Sequence, residues 1–295
     1  MRRGLEPWLV GRTIRRAERV DAPPGPKYAD LERASGQTIE AANRRGKFLL
    51  LPLSGGDELV IHLGMTGVVS AEPPANHVRA KLTLDGPDKP TLYFQDVRRF
   101  GRFLVVPQGA YQSLPTLHAM GPEPLSDDFT AAHLRRALGA SVVAVKTYLL
   151  SQKPVAGVGN IYADEALWRS RIHPETPSNR VSKTKIAPLV RAIRDVLAAS
   201  IEAQGTTFSS YRTVNGEVGS FVDHLDVYGH AEQPCPRCGT PISKIVVAGR
   251  GTHFCSKCQK VPRQPKKRQS QQGQPQQSQA KQDSSQGPSK QCQPK

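Results

Sequence analysis

The sequence predicts a multidomain α+β protein: a β-rich N-terminal domain of sandwich or barrel type, a helical middle domain, and a C-terminal hairpin built on four cysteines. Three observations carry this. Short apolar runs separated by turn residues fill residues 8 to 113. After Gly121-Pro122-Glu123-Pro124 the apolar spacing changes to that of helices. Near the end, two Cys-x2-Cys pairs stand at the spacing of metal ligands.

In the first region, Lys47-Phe48-Leu49-Leu50-Leu51, Glu58-Leu59-Val60-Ile61-His62 and Arg102-Phe103-Leu104-Val105-Val106 are strand-length runs bounded by Gly, Pro and Asp. They assign residues 1–115 to the β domain. Next, Phe129, Leu134 and Leu138 share one helical face. Ile186, Leu189, Val190, Ile193, Leu197 and Ile201 share another, with Gly205 placed to stop that helix. These define a domain over 116–224, joined to the first by a hinge near 115–125. The cysteine module takes 225–260. Residues 261–295 are mainly Gln, Ser, Pro and Lys, with too little apolar surface to offset ordering entropy, so this tail is expected to be disordered.

The 295-residue chain has a formal net charge of +16, far beyond what solubility requires, which points to a polyanionic partner. The tail carries seven Lys or Arg against one Asp, so the rest of the chain keeps +10. No apolar run approaches the roughly 20 residues that cross a bilayer, and Met1-Arg2-Arg3-Gly4 does not open a signal peptide. A cytoplasmic location and no membrane partner are expected. Four of five cysteines are paired in sequence, which in a reducing compartment favours metal over disulfides; Cys292 stands alone in the tail.

The sharpest chemical signal is Cys235-x2-Cys238-x16-Cys255-x2-Cys258. Each pair grips one side of a tetrahedral zinc, and four thiolates leave no open position, so one structural zinc ion is expected. Between the pairs, Ala248-Gly249-Arg250-Gly251 places Arg250 at the hairpin tip, within reach of a phosphate. Val155-Ala156-Gly157-Val158-Gly159-Asn160 is a glycine-bearing turn leading into a helix, with Asn160 suited to be its N-cap and open amides suited to a phosphate. Lys146 and Lys153 lie nearby in sequence. Arg44-Arg45-Gly46-Lys47 and Asp96-Val97-Arg98-Arg99-Phe100-Gly101 set positive charge beside an aromatic, as in loops that touch phosphates and wedge into a base stack. In His62-Leu63-Gly64-Met65-Thr66-Gly67, a methionine on an exposed turn is a second wedge candidate. Taken singly, each of these basic motifs also reads as an ordinary cationic strand end.

Together these pieces resemble the bacterial formamidopyrimidine-DNA glycosylases, relatives of endonuclease VIII. The matching segments are Arg2-Arg3-Gly4-Leu5-Glu6-Pro7, Arg45-Gly46-Lys47-Phe48-Leu49, the turn His62 to Gly67, Arg98-Arg99-Phe100-Gly101, Gly121-Pro122-Glu123-Pro124-Leu125, Gly157-Val158-Gly159-Asn160-Ile161-Tyr162 and the finger through Lys260, all in family order. The resemblance implies an N-terminal β-sandwich, a helix-two-turn-helix domain and a zinc finger, with damaged double-stranded DNA as partner of a monomeric enzyme. It implies excision of oxidised purines (8-oxoguanine, formamidopyrimidines) by base flipping, followed by β,δ-elimination. Carried over residue by residue, Lys47 becomes the proton donor for β-elimination and Arg250 the δ-elimination and phosphate residue. Met65, Arg98 and Phe100 become the intercalating set. His77, Arg98, Asn160 and Lys146 become DNA-binding residues, with Lys146 near the lesion pocket, and Glu165 a site-organising residue. Residues 206–221 become a loop over the extruded base.

Two departures shape the expectation. Family chains open Pro-Glu-Leu-Pro-Glu-Val-Glu-Thr, and the proline amine is the nucleophile; this sequence opens at Met1-Arg2-Arg3, so the resemblance implies a true start further upstream. Without that segment the chain would be a non-catalytic protein binding lesions or abasic sites. In Pro74-Ala75-Asn76-His77 only the second histidine of a family pair is present, and Val97 replaces a proline. A generic zinc-ribbon module with no lesion preference is a third reading, opposed by the Met65, Arg98 and Phe100 set.

Overall fold

The computed structural model describes residues 1–206 and 219–261. The expected lesion loop, apart from its ends, and the Gln-rich tail with Cys292 lie outside the described residues. After helix α1 (Arg2–Leu9), two four-stranded antiparallel sheets form the N-terminal domain. One has the order β1 (Ile14–Arg19), β6 (Val78–Leu84), β7 (Thr91–Asp96), β5 (Gly67–Ser70); the other β2 (Asn43–Arg45), β3 (Phe48–Pro52), β4 (Asp57–His62), β8 (Arg102–Pro107).

Strand register explains why this is a sandwich. Leu49 pairs with Ile61 and Ile61 with Phe103, while Leu51, Leu59 and Val105 form a second row. Period-two alternation sends both rows toward the first sheet. There they meet Ile14, Leu82, Leu92 and Phe94 in one core, and Phe94 stacks on Phe103 at 5.3 Å. The intervening residues Phe48, Leu50, Val60, Leu104 and Val106 pack on the opposite face against Leu114 and Leu117, at and within helix α2 (Pro115–His118). Both faces of this sheet are covered, and so Phe48-Leu49-Leu50-Leu51 is a continuous apolar run rather than an alternating one.

The second domain buries a separate helical core. Helix α3 (Ala131–Gly139), capped by Thr130, contributes Leu134 and Leu138, and α4 (Val145–Leu150) contributes Val145 and Leu149. Helix α5 (Asn160–Arg169) is buried continuously from Ala163 to Trp168, wedged between α6 (Lys183–Glu202) and the C-terminal hairpin. Pro188, the sixth residue of α6, lacks the N–H that would donate to Thr184 O, so the helix forgoes one backbone bond there. The hairpin, β9 (Ser243–Val247) and β10 (Arg250–Phe254), turns through Ala248 and Gly249 with φ of 47° and 73°, the two left-handed residues of a type I′ turn. The tip is therefore Ala248-Gly249, and Arg250 is the first residue of the return strand instead of the tip itself.

Candidate DNA-binding and catalytic cleft

Lys47 is delivered by the tight β2–β3 turn. Gly46 has φ +54°, a left-handed conformation that selects glycine at this turn. The Glu123 carboxylate accepts the Gly46 N–H at 2.6 Å and an Arg44 N–H at 2.7 Å. Arg45 donates to the carbonyls of Met120 and Gly121 at 3.1 and 2.7 Å. Thus Arg44 and Arg45, which the sequence offers as phosphate contacts, clamp the hairpin to the interdomain segment. Lys47 Nζ crosses to the helical domain, donating to Val158 O at 3.1 Å.

Lys47 opens into a cleft of about 860 Å³ that also receives His62, Tyr162, Ser200 and Gln204. Crowding by its walls, with a smaller push from the Arg250 charge, lowers the Lys47 ammonium to about 8, although its surface stays open to the cleft. Burial, then the charges of Lys47 and Arg102, lowers His62 to about 4, so its ring is neutral at neutral pH. Gly64 N–H donates to His62 Nδ1 at 3.2 Å, which leaves the ring proton on Nε2.

On the helical side, Gly157 adopts φ +80° and buried Gln152 fixes the turn, accepting Gly157 N–H at 2.8 Å and donating to Val158 O at 2.7 Å. Val158 O is thus shared by Lys47 and Gln152. Sequence reading passes over Gln152. Asn160 is not the N-cap of α5; Gly159 occupies that position, and no side-chain bond caps the helix. The Asn160 amide is used elsewhere, donating to Gly251 O of β10 at 3.0 Å and to the Tyr228 hydroxyl at 3.4 Å.

Lys146 also departs from expectation. Its side chain and that of Asp164 are both 0% exposed and form an ion pair at 2.7 Å. The ammonium further donates to Thr252 Oγ1 at 2.7 Å and Gly251 O at 3.1 Å. With no exposed surface, Lys146 fastens the hairpin to the helical domain. Asp164 completes the joint by accepting His253 N–H at 2.9 Å. Glu165, the next residue, is fully buried and accepts the amides of Asp226, Val227 and Tyr228 at 3.0, 2.9 and 2.9 Å, shaping the entry into the finger. Burial raises its carboxyl, opposed by those three bonds.

The sulfurs of Cys235, Cys238, Cys255 and Cys258 lie within 4.8 Å of one another. A tetrahedral zinc with Zn–S near 2.3 Å separates its sulfurs by about 3.8 Å, so the four residues fit one structural zinc ion. Trp168 packs on the knuckles and donates to Cys235 Sγ at 3.4 Å, and Gln259 ties Cys255 N–H to Ile172 O. Held this way, exposed Arg250 stands near enough to Lys47 for its charge to help lower that ammonium.

Met65 and Phe100, each 54% exposed, stand on the turns after β4 and β7, and the Arg98 guanidinium lies 5.5 Å from the Phe100 ring centre. His77 has φ +60°, and its Nδ1 takes an N–H from Arg79 at 3.2 Å, which leaves the ring proton on Nε2.

A basic, zinc-braced cleft between a β-sandwich and a helical domain, with apolar side chains bared on adjacent turns, defines a protein class that grips a polyanion and wedges into it. Family models narrow this. The Formamidopyrimidine-DNA glycosylase N-terminal domain matches residues 1–103, the Formamidopyrimidine-DNA glycosylase H2TH domain residues 120–212, and the Zinc finger found in FPG and IleRS residues 232–261. A formamidopyrimidine-DNA glycosylase of Deinococcus radiodurans is 49% identical over 271 residues, spanning 88% of this chain and 94% of the relative. The crystal structure of the Fpg protein of Thermus thermophilus superimposes with TM-score 0.81 at 46% identity, covering 89% of this chain and 97% of that one. A Lactococcus lactis Fpg bound to DNA containing an abasic site gives 0.76 at 35% identity, covering 88% and 96%. The chain belongs to the formamidopyrimidine-DNA glycosylase family.

Proposed function

We propose that this protein removes oxidised purines, 8-oxoguanine and formamidopyrimidines, from duplex DNA and then cleaves the strand by β,δ-elimination. The observation that carries the reading is Lys47 in the cleft, near enough to Arg250 for that charge to help lower its ammonium, with Met65, Arg98 and Phe100 bared on neighbouring turns. In this reading Met65 and Phe100 fill the space a flipped nucleotide leaves, and Arg98 faces the orphaned base. His77, Asn160 and Arg250 meet phosphates. Asn160 would meet a phosphate through its Nδ2 donor, which here is given to Gly251 O, and the neighbouring charges of Lys47 and Arg250 suit a polyanion.

Lys47 fits the role of proton donor during β-elimination: near pH 7 it is mostly protonated, yet acidic enough to give that proton up. Arg250 stabilises the departing phosphate in the δ step. Lys146 and Glu165 act at one remove, as parts of the joint that aims the finger. The described helices include none long and apolar enough to cross a membrane, and this reading places the protein with the bacterial chromosome in the cytoplasm, as a monomer. The test is an end-labelled duplex carrying one 8-oxoguanine. Cleavage leaving phosphate on both sides of the gap supports the reading; tight binding to the lesion duplex with no cleavage favours a binding-only protein.

A further inference from the structure

The two turns that bear the exposed wedges are not independent. We infer that Asp96 is a positioning residue that locks the Met65 turn and the Arg98–Phe100 turn into one unit, so that both enter a duplex together. This rests on the glycosylase reading and adds a residue to it.

Asp96 is 0% exposed, and each carboxylate oxygen serves a different turn. Oδ1 accepts the hydroxyl of Thr66, the neighbour of Met65. Oδ2 accepts the N–H of Gly101, the neighbour of Phe100, at 2.7 Å. The Thr66 oxygen in turn accepts the N–H of Arg98 itself at 3.2 Å. All three wedge residues therefore lie within one residue of an atom in the same short network. The main chain of Asp96 extends it to a further residue expected on DNA: its N–H donates to His77 O at 3.1 Å, its carbonyl accepts Arg79 Nε at 2.8 Å, and Arg79 also holds His77 Nδ1.

Steric contact reinforces the link. A Cβ on Gly64 would fall 2.7 Å from the Gly101 nitrogen and the Phe100 carbonyl carbon, and one on Gly101 would fall 3.0 Å from Asp96 Oδ2. The turns thus touch backbone to backbone around the carboxylate. Only an ionised carboxylate can accept from both donors through two equivalent oxygens; an amide has one acceptor, and its nitrogen would oppose the other donor. Since a wedge that is ordered before insertion loses less freedom on binding, the network should increase affinity for a duplex with a vacant stack and leave intact duplex unaffected.

The experiment measures binding to a duplex holding a stable tetrahydrofuran abasic analogue opposite 2-aminopurine, beside the same duplex intact. Thr66→Val keeps the side-chain shape and removes the hydroxyl; Asp96→Asn removes the second acceptor. Losing a hydrogen bond to a charged group should weaken abasic-duplex binding about tenfold in either variant, change the 2-aminopurine signal that reports insertion, and shift intact-duplex affinity less than twofold. In a Met65→Ala, Arg98→Ala, Phe100→Ala background, Thr66→Val should add less than twofold, because there is no wedge left to position. An equal loss on intact and abasic duplex, or an undiminished effect in the wedge-less background, overturns the inference. Should the unmodified protein show no preference for the abasic duplex, the glycosylase reading fails first and takes the inference with it.

Discussion

Replacing Lys146 with methionine separates a DNA-contacting lysine from a structural one. Methionine keeps most of the aliphatic stem and removes only the charge and its donors. The change leaves the Asp164 carboxylate, 0% exposed, without the cation 2.7 Å away. It also takes a donor from Thr252 Oγ1 and from Gly251 O, both on β10. Breaking a buried ion pair from one side costs about 3–5 kcal/mol, since the remaining charge cannot recover its hydration. For a folded unit of this size, about 2–4 °C per kcal/mol translates this into a fall in Tm of about 6–20 °C. Adding Asp164→Asn should recover about half of the loss, because the amide oxygen still accepts His253 N–H while no bare charge remains. Urea unfolding of the single and double variants gives both numbers. A Lys146→Met protein that loses less than about 1 kcal/mol while its DNA affinity drops would refute the buried-joint account and restore Lys146 as a direct contact.

Other outcomes follow from the same geometry. Because the Lys47 ammonium sits near 8, a step that needs its proton should slow as pH rises through about 8, in a single-turnover β-elimination profile; Arg250→Ala removes the lesser of the two depressing influences and should move that limb upward. His62 is held near 4 against an ordinary 6.5, so the unfolded chain takes up a proton that the folded one refuses between those values. Stability measured in urea should therefore fall as pH drops from about 6.5 toward 4, and His62→Phe, which keeps a ring against Phe48, should flatten that slope. Chelating zinc should unfold the hairpin and abolish lesion binding, with recovery when zinc is restored; retained lesion binding without metal would contradict the role assigned to the finger. Glu165→Gln should cost about 1.5–3 kcal/mol, the loss of charge-assisted bonds to three backbone amides, read as a lower Tm.

Local pattern made much of this fold readable. Strands β3, β4 and β8 coincide with apolar runs in the sequence, α6 follows its apolar face from Lys183 to Glu202 with Gly205 just beyond, and the cysteine spacing announces the hairpin. Helix α1 carries no such announcement: its eight residues include Pro7 and three arginine or glycine positions, and tertiary burial of Leu5, Trp8 and Leu9 is what stabilises it. Site residues divide the same way. Lys47, Met65, Phe100 and Arg250 sit in short motifs, so sequence finds them. Gln152, Asp96, Asp164 and Glu123 act through partners that topology alone brings near, such as Glu123 at the turn of residues 44–46, and nothing in their neighbours reveals it. Asn160 and Lys146 show the converse: local context suggested a cap and a phosphate ligand, but both side chains turn toward β10, a strand about 90 residues or more away in sequence.

The most direct test of the central claim is borohydride trapping on a duplex with a single 8-oxoguanine. A lyase passes through a Schiff base between a protein amine and the sugar C1′, and reduction fixes it as a covalent adduct. The account predicts that the protein carrying the expected Pro-Glu-Leu-Pro-Glu-Val-Glu-Thr segment ahead of Met1 forms a crosslink with the damaged duplex and none with the intact one, and that the crosslink disappears when zinc is removed. A zinc-loaded protein that binds the lesion tightly and yields no crosslink and no cleaved strand would contradict it.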